Sequence, residues 1–366
     1  MIPIRSNILQ MQPYLPGKPI EEVKRELGLS RVIKLASNEN PFGPSPKAIA
    51  AVREAAEKMH IYPDGASHDL KEAISKKLDL PFENLIMGNG SDELLHLIGL
   101  VFLSSENDEL IVGEPSFSRY DAAAQIAPSI LTKVPLDTSY RHDLNAMSQA
   151  VTEKTRLIII ANPNNPTGTI VRKGEFDQFL DSIPDHIAVV LDEAYFEFAQ
   201  DADDFPSARD YVAQGRNVIG LRTFSKAYGL AGIRIGYGFG PASVIDGINR
   251  VREPFNTNSL AQAAAIAALD DDDHVSKTVL NNRKGLDYLS NIFQSVGARP
   301  MESFANFMYA DLGQPAKPIF EALLARGVIT RSGHALGNPT CLRVSVGTDE
   351  EMQIFAEELT TVLGKV

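Results

Sequence analysis

A lysine stands in the turn Thr223-Phe224-Ser225-Lys226-Ala227-Tyr228-Gly229-Leu230-Ala231-Gly232-Ile233-Arg234, directly after the apolar run Val218 to Leu221. An amine in such a turn can form an imine with an aldehyde cofactor. The hydroxyls of Thr223 and Ser225 and the guanidinium of Arg234 can neutralise and hydrogen-bond that cofactor's phosphate. By itself the stretch reads equally as a surface lysine in a glycine-rich loop. A second segment shifts the balance. In Ile187-Ala188-Val189-Val190-Leu191-Asp192-Glu193-Ala194-Tyr195 a buried strand runs straight into a carboxylate, which is costly to ionise unless paired. A protonated pyridine nitrogen would pair with Asp192 and become a better electron sink, and Tyr195 can reach the phenolic oxygen of the same ring. Asp192 alone would also serve as a helix N-cap.

Two further turns belong to the same picture. Pro163 and Pro166 stiffen Asn162-Pro163-Asn164-Asn165-Pro166-Thr167-Gly168, with a cis bond expected at Asn165-Pro166, and the turn aims the Asn165 amide at a cleft. A plain structural turn explains Asn164 and Thr167 as well. Gly88-Asn89-Gly90-Ser91-Asp92-Glu93 joins a strand to the apolar helix Leu94 to Leu103, and the free N–H groups at such a helix start, approachable because of the glycines, offer an anion site. The segment starts like a dinucleotide fingerprint, but Glu93 stands where the third glycine is required.

The elements that must position these turns alternate. Apolar runs at Leu85 to Met87, Leu110 to Val112, Leu157 to Ile160, Ile187 to Leu191, Val218 to Leu221 and Ile233 to Phe239 are separated by helical patterns, the signature of a mostly parallel sheet between helices. Beyond Pro254 the pattern becomes a smaller α+β unit: Ala-rich Leu260 to Leu269, the acidic run Asp270 to Asp273 opening a long helix, and strands near 304–310, 328–331 and 342–346. The expected division is an N-terminal arm, 1–35, a large domain, 36–255, and a small domain, 256–366. Pro3, Pro13, Pro16 and Pro19 keep the first half of the arm from being regular helix.

Composition narrows the partners. The 366 residues carry 35 Lys and Arg against 47 Asp and Glu, a net charge of −12, which argues against nucleic acid or an anionic membrane as partner. A single cysteine, Cys341, excludes intramolecular disulfides and thiolate-rich clusters, and the 7 histidines show no metal-ligand spacing, so no metal is expected. Met1-Ile2-Pro3-Ile4-Arg5 does not read as a signal peptide, and a soluble cytoplasmic protein is the default.

In this order and spacing, Gly90-Ser91-Asp92-Glu93, Asn165-Pro166-Thr167-Gly168, Asp192-Glu193-Ala194-Tyr195 and Ser225-Lys226 with Arg234 resemble the fold type I, class II pyridoxal-phosphate aminotransferases. Within them the chain is most similar to the histidinol-phosphate aminotransferase family. Pro13-Tyr14-Leu15-Pro16-Gly17-Lys18-Pro19, Leu35-Ala36-Ser37-Asn38-Glu39-Asn40-Pro41, Tyr62-Pro63-Asp64 and Leu342-Arg343-Val344-Ser345-Val346-Gly347 carry that closer likeness over essentially the whole chain. The resemblance implies that Lys226 holds pyridoxal 5'-phosphate as an imine and moves a proton between the substrate α-carbon and the cofactor. It implies that Asp192, Asn165 and Tyr195 grip the ring, and that Ser91, Asp92, Ser225 and Arg234 hold the phosphate. It also implies a homodimer in which Tyr62 reaches the phosphate from the other subunit. Where the family stacks Tyr on the pyridine, this chain has Phe117, which can stack but lacks the hydroxyl.

By the same resemblance Arg343 takes a substrate carboxylate and Arg331 is a second, phosphate-binding arginine, so one pocket serves both glutamate/2-oxoglutarate and histidinol phosphate. Tyr14 and Asn38 are candidates for closing the site. The implied reaction converts imidazole-acetol phosphate and glutamate to histidinol phosphate and 2-oxoglutarate in histidine biosynthesis. Alternatives are an aromatic amino acid aminotransferase, threonine-phosphate decarboxylase, and a ligand sensor that keeps the fold without the chemistry. Such sensors add a DNA-binding domain, for which this chain leaves no residues, and the lysine argues against it.

Overall fold

The computed structural model describes residues 2–11, 13 and 17–364. Its centre is a seven-stranded sheet with the spatial order Leu85–Gly88, Gly236–Phe239, Val218–Thr223, Ala188–Asp192, Thr155–Ala161, Glu109–Glu114, Ile130–Pro135. Only Gly236–Phe239 runs antiparallel to its neighbours; the remaining pairings are parallel. The continuous apolar runs follow from burial on both faces. Ile158, Ile160, Val189 and Leu191 enter one core, while Leu157, Ile159 and Val190 enter the core on the opposite face. The parallel strands end together at Glu114, Ala161, Asp192 and Thr223, which delivers four turns to one edge.

The second unit is a four-stranded antiparallel sheet, in the order Arg331–Ser332, Cys341–Ser345, Phe307–Asp311, Arg299–Pro300. Helices Asp272–Ser295, Ala316–Ala325 and Asp349–Val362 cover it over a core that includes Leu289, Phe293, Met308, Leu342, Val344 and Phe355. Asp272 and Asp273 occupy the first turn of their helix, where negative charge is favourable. Thr348 and Glu351 form a capping box at the last helix.

Two boundaries differ from the sequence expectation. Ser259–Leu269, placed from sequence in the small domain, packs against helices Pro46–Ala56 and His68–Leu78, and Ala261, Ala264, Ala265 and Ala268 lie in the core of the large unit. Small side chains let the three helices approach closely. The arm 1–35 is shared between the units. Helix Ser6–Gln10 lies on helix Arg119–Ile126, with Asn7 Nδ2 donating to Gln125 O at 2.7 Å, whereas Ile33–Lys34 pairs in parallel with Val328–Ile329 and Leu35 enters the second core. Among the described residues no helix is long and apolar enough to cross a membrane.

The lysine turn is pinned to the first unit by Gly229. Its φ is +71°, its N–H donates to Lys226 O at 3.0 Å, and a Cβ placed on it would stand 2.2 Å from Gly43 O. Both the conformation and the contact with backbone exclude a side chain. We expect Gly229→Ala to lower stability by about 2–4 kcal/mol, read as a reduced urea midpoint at unchanged slope. An unshifted midpoint would show that this turn relaxes freely.

Candidate active site

At the carboxyl ends of the parallel strands the two units enclose a cleft of about 780 Å3. Asp192 lines it as the last residue of its strand. The side chain is only 4% exposed, and its oxygens accept from Tyr120 Oη at 2.8 Å and Ala194 N at 3.2 Å. Burial raises its pKa to about 6 even though Tyr120 stabilises the anion; Asp92 and Glu193 add to the rise. Asp192 is no N-cap: the short helix after it, Phe196–Ala199, begins after Tyr195. A carboxylate this dry, facing a cleft, fits a cationic ligand group, and a pyridinium satisfies it.

The next residue is anchored on the far side. Glu193 is fully buried, accepts from Arg222 Nε at 2.8 Å and Ala208 N at 2.7 Å, and thereby ties the end of this strand to its neighbour. Arg222 lies 3.3 Å from the Phe196 ring centroid. Burial works against its cation, but Glu193 more than offsets this and its pKa stands above the ordinary value. Nearby Glu197 is pushed by burial up to about 7, with Arg222 opposing the rise.

Lys226 Nζ projects into the cleft, 3.4 Å from Ser37 O and 5.7 Å from the Tyr195 ring centroid. Beside it lies a corner suited to phosphate. Helix Ser91–Phe102 starts there after Gly90, whose φ is +78° and whose missing Cβ would stand 2.3 Å from Arg234 Nη2. Arg234 Nη1 donates to Ser225 Oγ at 3.4 Å and Nη2 to Asp92 Oδ2 at 3.4 Å, while Thr223 Oγ1 donates to Ser225 Oγ at 3.0 Å. Glu93, which broke the dinucleotide pattern, accepts from Asn89 N and Asn256 Nδ2, both at 2.6 Å, and so braces the loop.

The opposite wall comes from the second unit. Arg331 and Arg343 are direct cross-strand partners, and both line the cleft. Two like charges in that register oppose each other, a cost that a shared anion relieves. Arg343 Nη1 donates to Asn165 Oδ1 at 2.5 Å and Nη2 to Ala36 O at 2.6 Å. With its oxygen so engaged, Asn165 presents its Nδ2 donor. The cis bonds lie at Glu114-Pro115 and Asn162-Pro163, not at Asn165-Pro166 as the sequence suggested. Asn164 carries no cleft role. It accepts from Ser116 Oγ at 2.8 Å and donates to Thr167 Oγ1 at 2.9 Å and Pro115 O at 3.1 Å, which joins the Asn165 turn to the loop bearing Phe117.

Asn38 lines the cleft, yet its amide donates to Tyr195 Oη at 2.9 Å and accepts from Ser345 Oγ at 2.7 Å. Burial lifts Tyr195 to about 12, against the lowering influence of Arg343 and Asn38. Phe117 lines the cleft edge-on to Tyr120, with ring centroids 5.7 Å apart. Tyr62 does not line this chain's cleft: it is 79% exposed and stacks on Phe255 with centroids 4.7 Å apart. Tyr14 lies outside the described residues. Tyr120, Ser345 and the Arg222–Glu193 pair were not singled out from sequence, because each acts through a residue remote in the chain.

Residues 30–359 match the family of class I and II aminotransferases. The histidinol-phosphate aminotransferase of Moorella thermoacetica is 49% identical over 98% of this chain and 92% of its own length, and that of Bacillus subtilis 42% over 99% of each. The structure of Sinorhizobium meliloti histidinol-phosphate aminotransferase in complex with pyridoxal-5'-phosphate superposes with a TM-score of 0.90 at 30% identity, covering 99% of this chain and 97% of that one. Aspartate aminotransferase of Thermus thermophilus, 22% identical with a TM-score of 0.85 over 99% of this chain and all of that one, shares the fold.

The Asp192 shift has a pH signature. Its carboxyl titrates near 3.8 unfolded and about 6 folded, so the folded state holds the proton more tightly; this contribution to stability is full below about pH 4 and is lost as pH rises through 6. In protein freed of ligand, Asp192→Asn should be more stable than the unsubstituted protein at pH 8, by about 3 kcal/mol, and equal to it near pH 4. Urea denaturation at the two pH values measures this. Equal stability at both would contradict the burial cost.

Proposed function

We propose that this chain, which belongs to the class I and II aminotransferase family, is a histidinol-phosphate aminotransferase of histidine biosynthesis. It transfers the amino group of glutamate to imidazole-acetol phosphate, giving histidinol phosphate and 2-oxoglutarate. The observation that carries this reading is the cross-strand pair Arg331 and Arg343 across the cleft from Lys226 and Asp192. Histidinol phosphate has a phosphate and no carboxylate, whereas glutamate has two carboxylates; a pair of guanidinium groups accepts either.

Pyridoxal phosphate, when bound, supplies an aldehyde that captures the amine and a pyridine ring that takes up the electron pair released at the substrate carbon. The chain's residues do the rest. Asp192 would face the ring nitrogen and favour its protonated form, while Asn165 Nδ2 and the Tyr195 hydroxyl would donate to the ring's phenolic oxygen. Phe117, which lines the cleft, would pack against the ring face. The N–H groups of Ser91 and Asp92, the hydroxyls of Thr223 and Ser225, and Arg234 would hold the phosphate, completed in a homodimer by Tyr62 of the partner subunit; the exposed Tyr62–Phe255 stack suits that interface. Lys226 Nζ removes the proton from the substrate carbon and returns it at the other end of the reacting system. The expected setting is the cytoplasm, with small-molecule substrates as partners.

The deciding experiment compares kcat/KM for histidinol phosphate, phenylalanine and threonine phosphate. A preference for phenylalanine beyond about tenfold would overturn the substrate assignment in favour of an aromatic aminotransferase. Lys226→Ala should abolish turnover and the visible band of bound cofactor while leaving the fold intact; retained turnover contradicts the mechanism. Arg331→Ala should lower kcat/KM for histidinol phosphate and for glutamate together, by about 2–5 kcal/mol each. Loss for one substrate alone would refute a shared pocket.

A further inference from the structure

We infer that Ser345 and Asn38 act together as positioning residues that fix the direction of the Tyr195 hydroxyl proton, keeping it aimed into the cleft. The inference rests on the cofactor part of the function proposed above.

The hydrogen bonds determine this almost completely. Ser345, at the end of its strand in the small unit and 3% exposed, accepts from the backbone N–H of Asn38 at 2.9 Å and donates its only hydroxyl proton to Asn38 Oδ1 at 2.7 Å. Oxygen is therefore the Asn38 amide atom on the serine side, and Nδ2 must face Tyr195, to whose hydroxyl oxygen it donates at 2.9 Å. A phenol that accepts from Asn38 on that side has its own proton left for the other side. With the amide reversed, Asn38 would accept the proton of Tyr195, and the cleft would lose a donor.

The backbone holds the amide in reach. Asn38 has a φ of 57°, a left-handed conformation that Asn adopts more readily than most residues, and Asn306 Nδ2 donates to its carbonyl at 2.9 Å. Lys226, Arg343, Asp192 and Asp92 are the charges around Tyr195; Arg343 lowers its pKa, and the two carboxylates raise it. The direction of its proton is set by Asn38, whose own orientation is set by Ser345. The small unit thus acts on the ring-binding donor of the large unit through two neutral side chains.

The test uses the full-length protein with pyridoxal phosphate, following binding by absorbance and the pH midpoint of the bound cofactor's visible band. A donor to the phenolic oxygen stabilises its anionic form, so its loss raises that midpoint. Ser345→Ala should weaken pyridoxal phosphate binding about three- to tenfold, the equivalent of one neutral hydrogen bond, and raise the midpoint. Asn38→Asp, which the positive φ tolerates, offers Tyr195 an acceptor and should shift both readouts the same way with Ser345 intact. In a Tyr195→Phe background neither substitution should have a further effect. Unmoved affinity and midpoint in either variant would overturn the inference. So would shifts of the same size in the Phe background, which would mean that Ser345 merely props the two units together. Failure of the unsubstituted protein to bind pyridoxal phosphate would overturn this inference and the proposed function at once.

Discussion

The architecture of the cleft depends on a carboxylate kept out of water. Asp192 terminates a strand whose preceding residues are buried on both faces, so its position is set by the sheet and its charge is disfavoured until a cation faces it. The tools that hold it are correspondingly stiff. Tyr120 supplies a single hydroxyl from a neighbouring helix, and behind it Glu193 locks onto Arg222 of the adjacent strand. A buried pair of this kind adds little net stability against an apolar substitute, but breaking one partner leaves the other charge stranded. Its value here is geometric: two adjacent strand ends cannot slide past each other.

Around that fixed point one short segment joins the second unit to the cleft. Ala36 accepts from Arg343, Ser37 O stands near Lys226 Nζ, Asn38 bridges Tyr195 and Ser345, and Asn40 Nδ2 donates to Ala227 O at 2.8 Å. Residues 36–38 thus touch Arg343, Lys226 and Tyr195 in turn, the proposed substrate arginine, proton carrier and ring donor. The units also meet through a buried apolar cluster in which Tyr195, Phe198 and Ala227 pack with Ala305 and Phe307, and the hydrogen bonds of this strip add to that contact beside the cleft. An anion held by Arg331 and Arg343 would therefore be felt at the ring end of the cleft.

Legibility in the sequence followed the range of each interaction. Lys226, Asp192, Asn165 and the Gly90-Ser91 turn were readable because each sits where an apolar strand gives way to a turn, and strand ends of an open parallel sheet face the ligand. The mixed sheet was readable from unbroken apolar runs, since alternate residues feed opposite cores. Tyr120 was not readable: its partner is remote in the chain, and the helix Arg119–Ile126 has no distinctive pattern around it. Ser345 and the Arg222–Glu193 pair escaped for the same reason. The packing of helix Ser259–Leu269 is not legible, because an alanine-rich segment fits any close helix contact and its neighbours, Pro46–Ala56 and His68–Leu78, lie far away in sequence. The cis bonds, too, could not be placed by counting prolines, as Pro163 and Pro166 look alike locally.

The proposed role of Asp192 is to face a ring that carries a protonated nitrogen. Its most direct test is binding of pyridoxal phosphate against the analogue in which carbon replaces the ring nitrogen, measured by calorimetry at pH 7.5. The analogue should bind at least about tenfold more weakly, a loss of about 1.4 kcal/mol or more, because the buried carboxylate then faces no charge. Equal affinity for the two rings would contradict it.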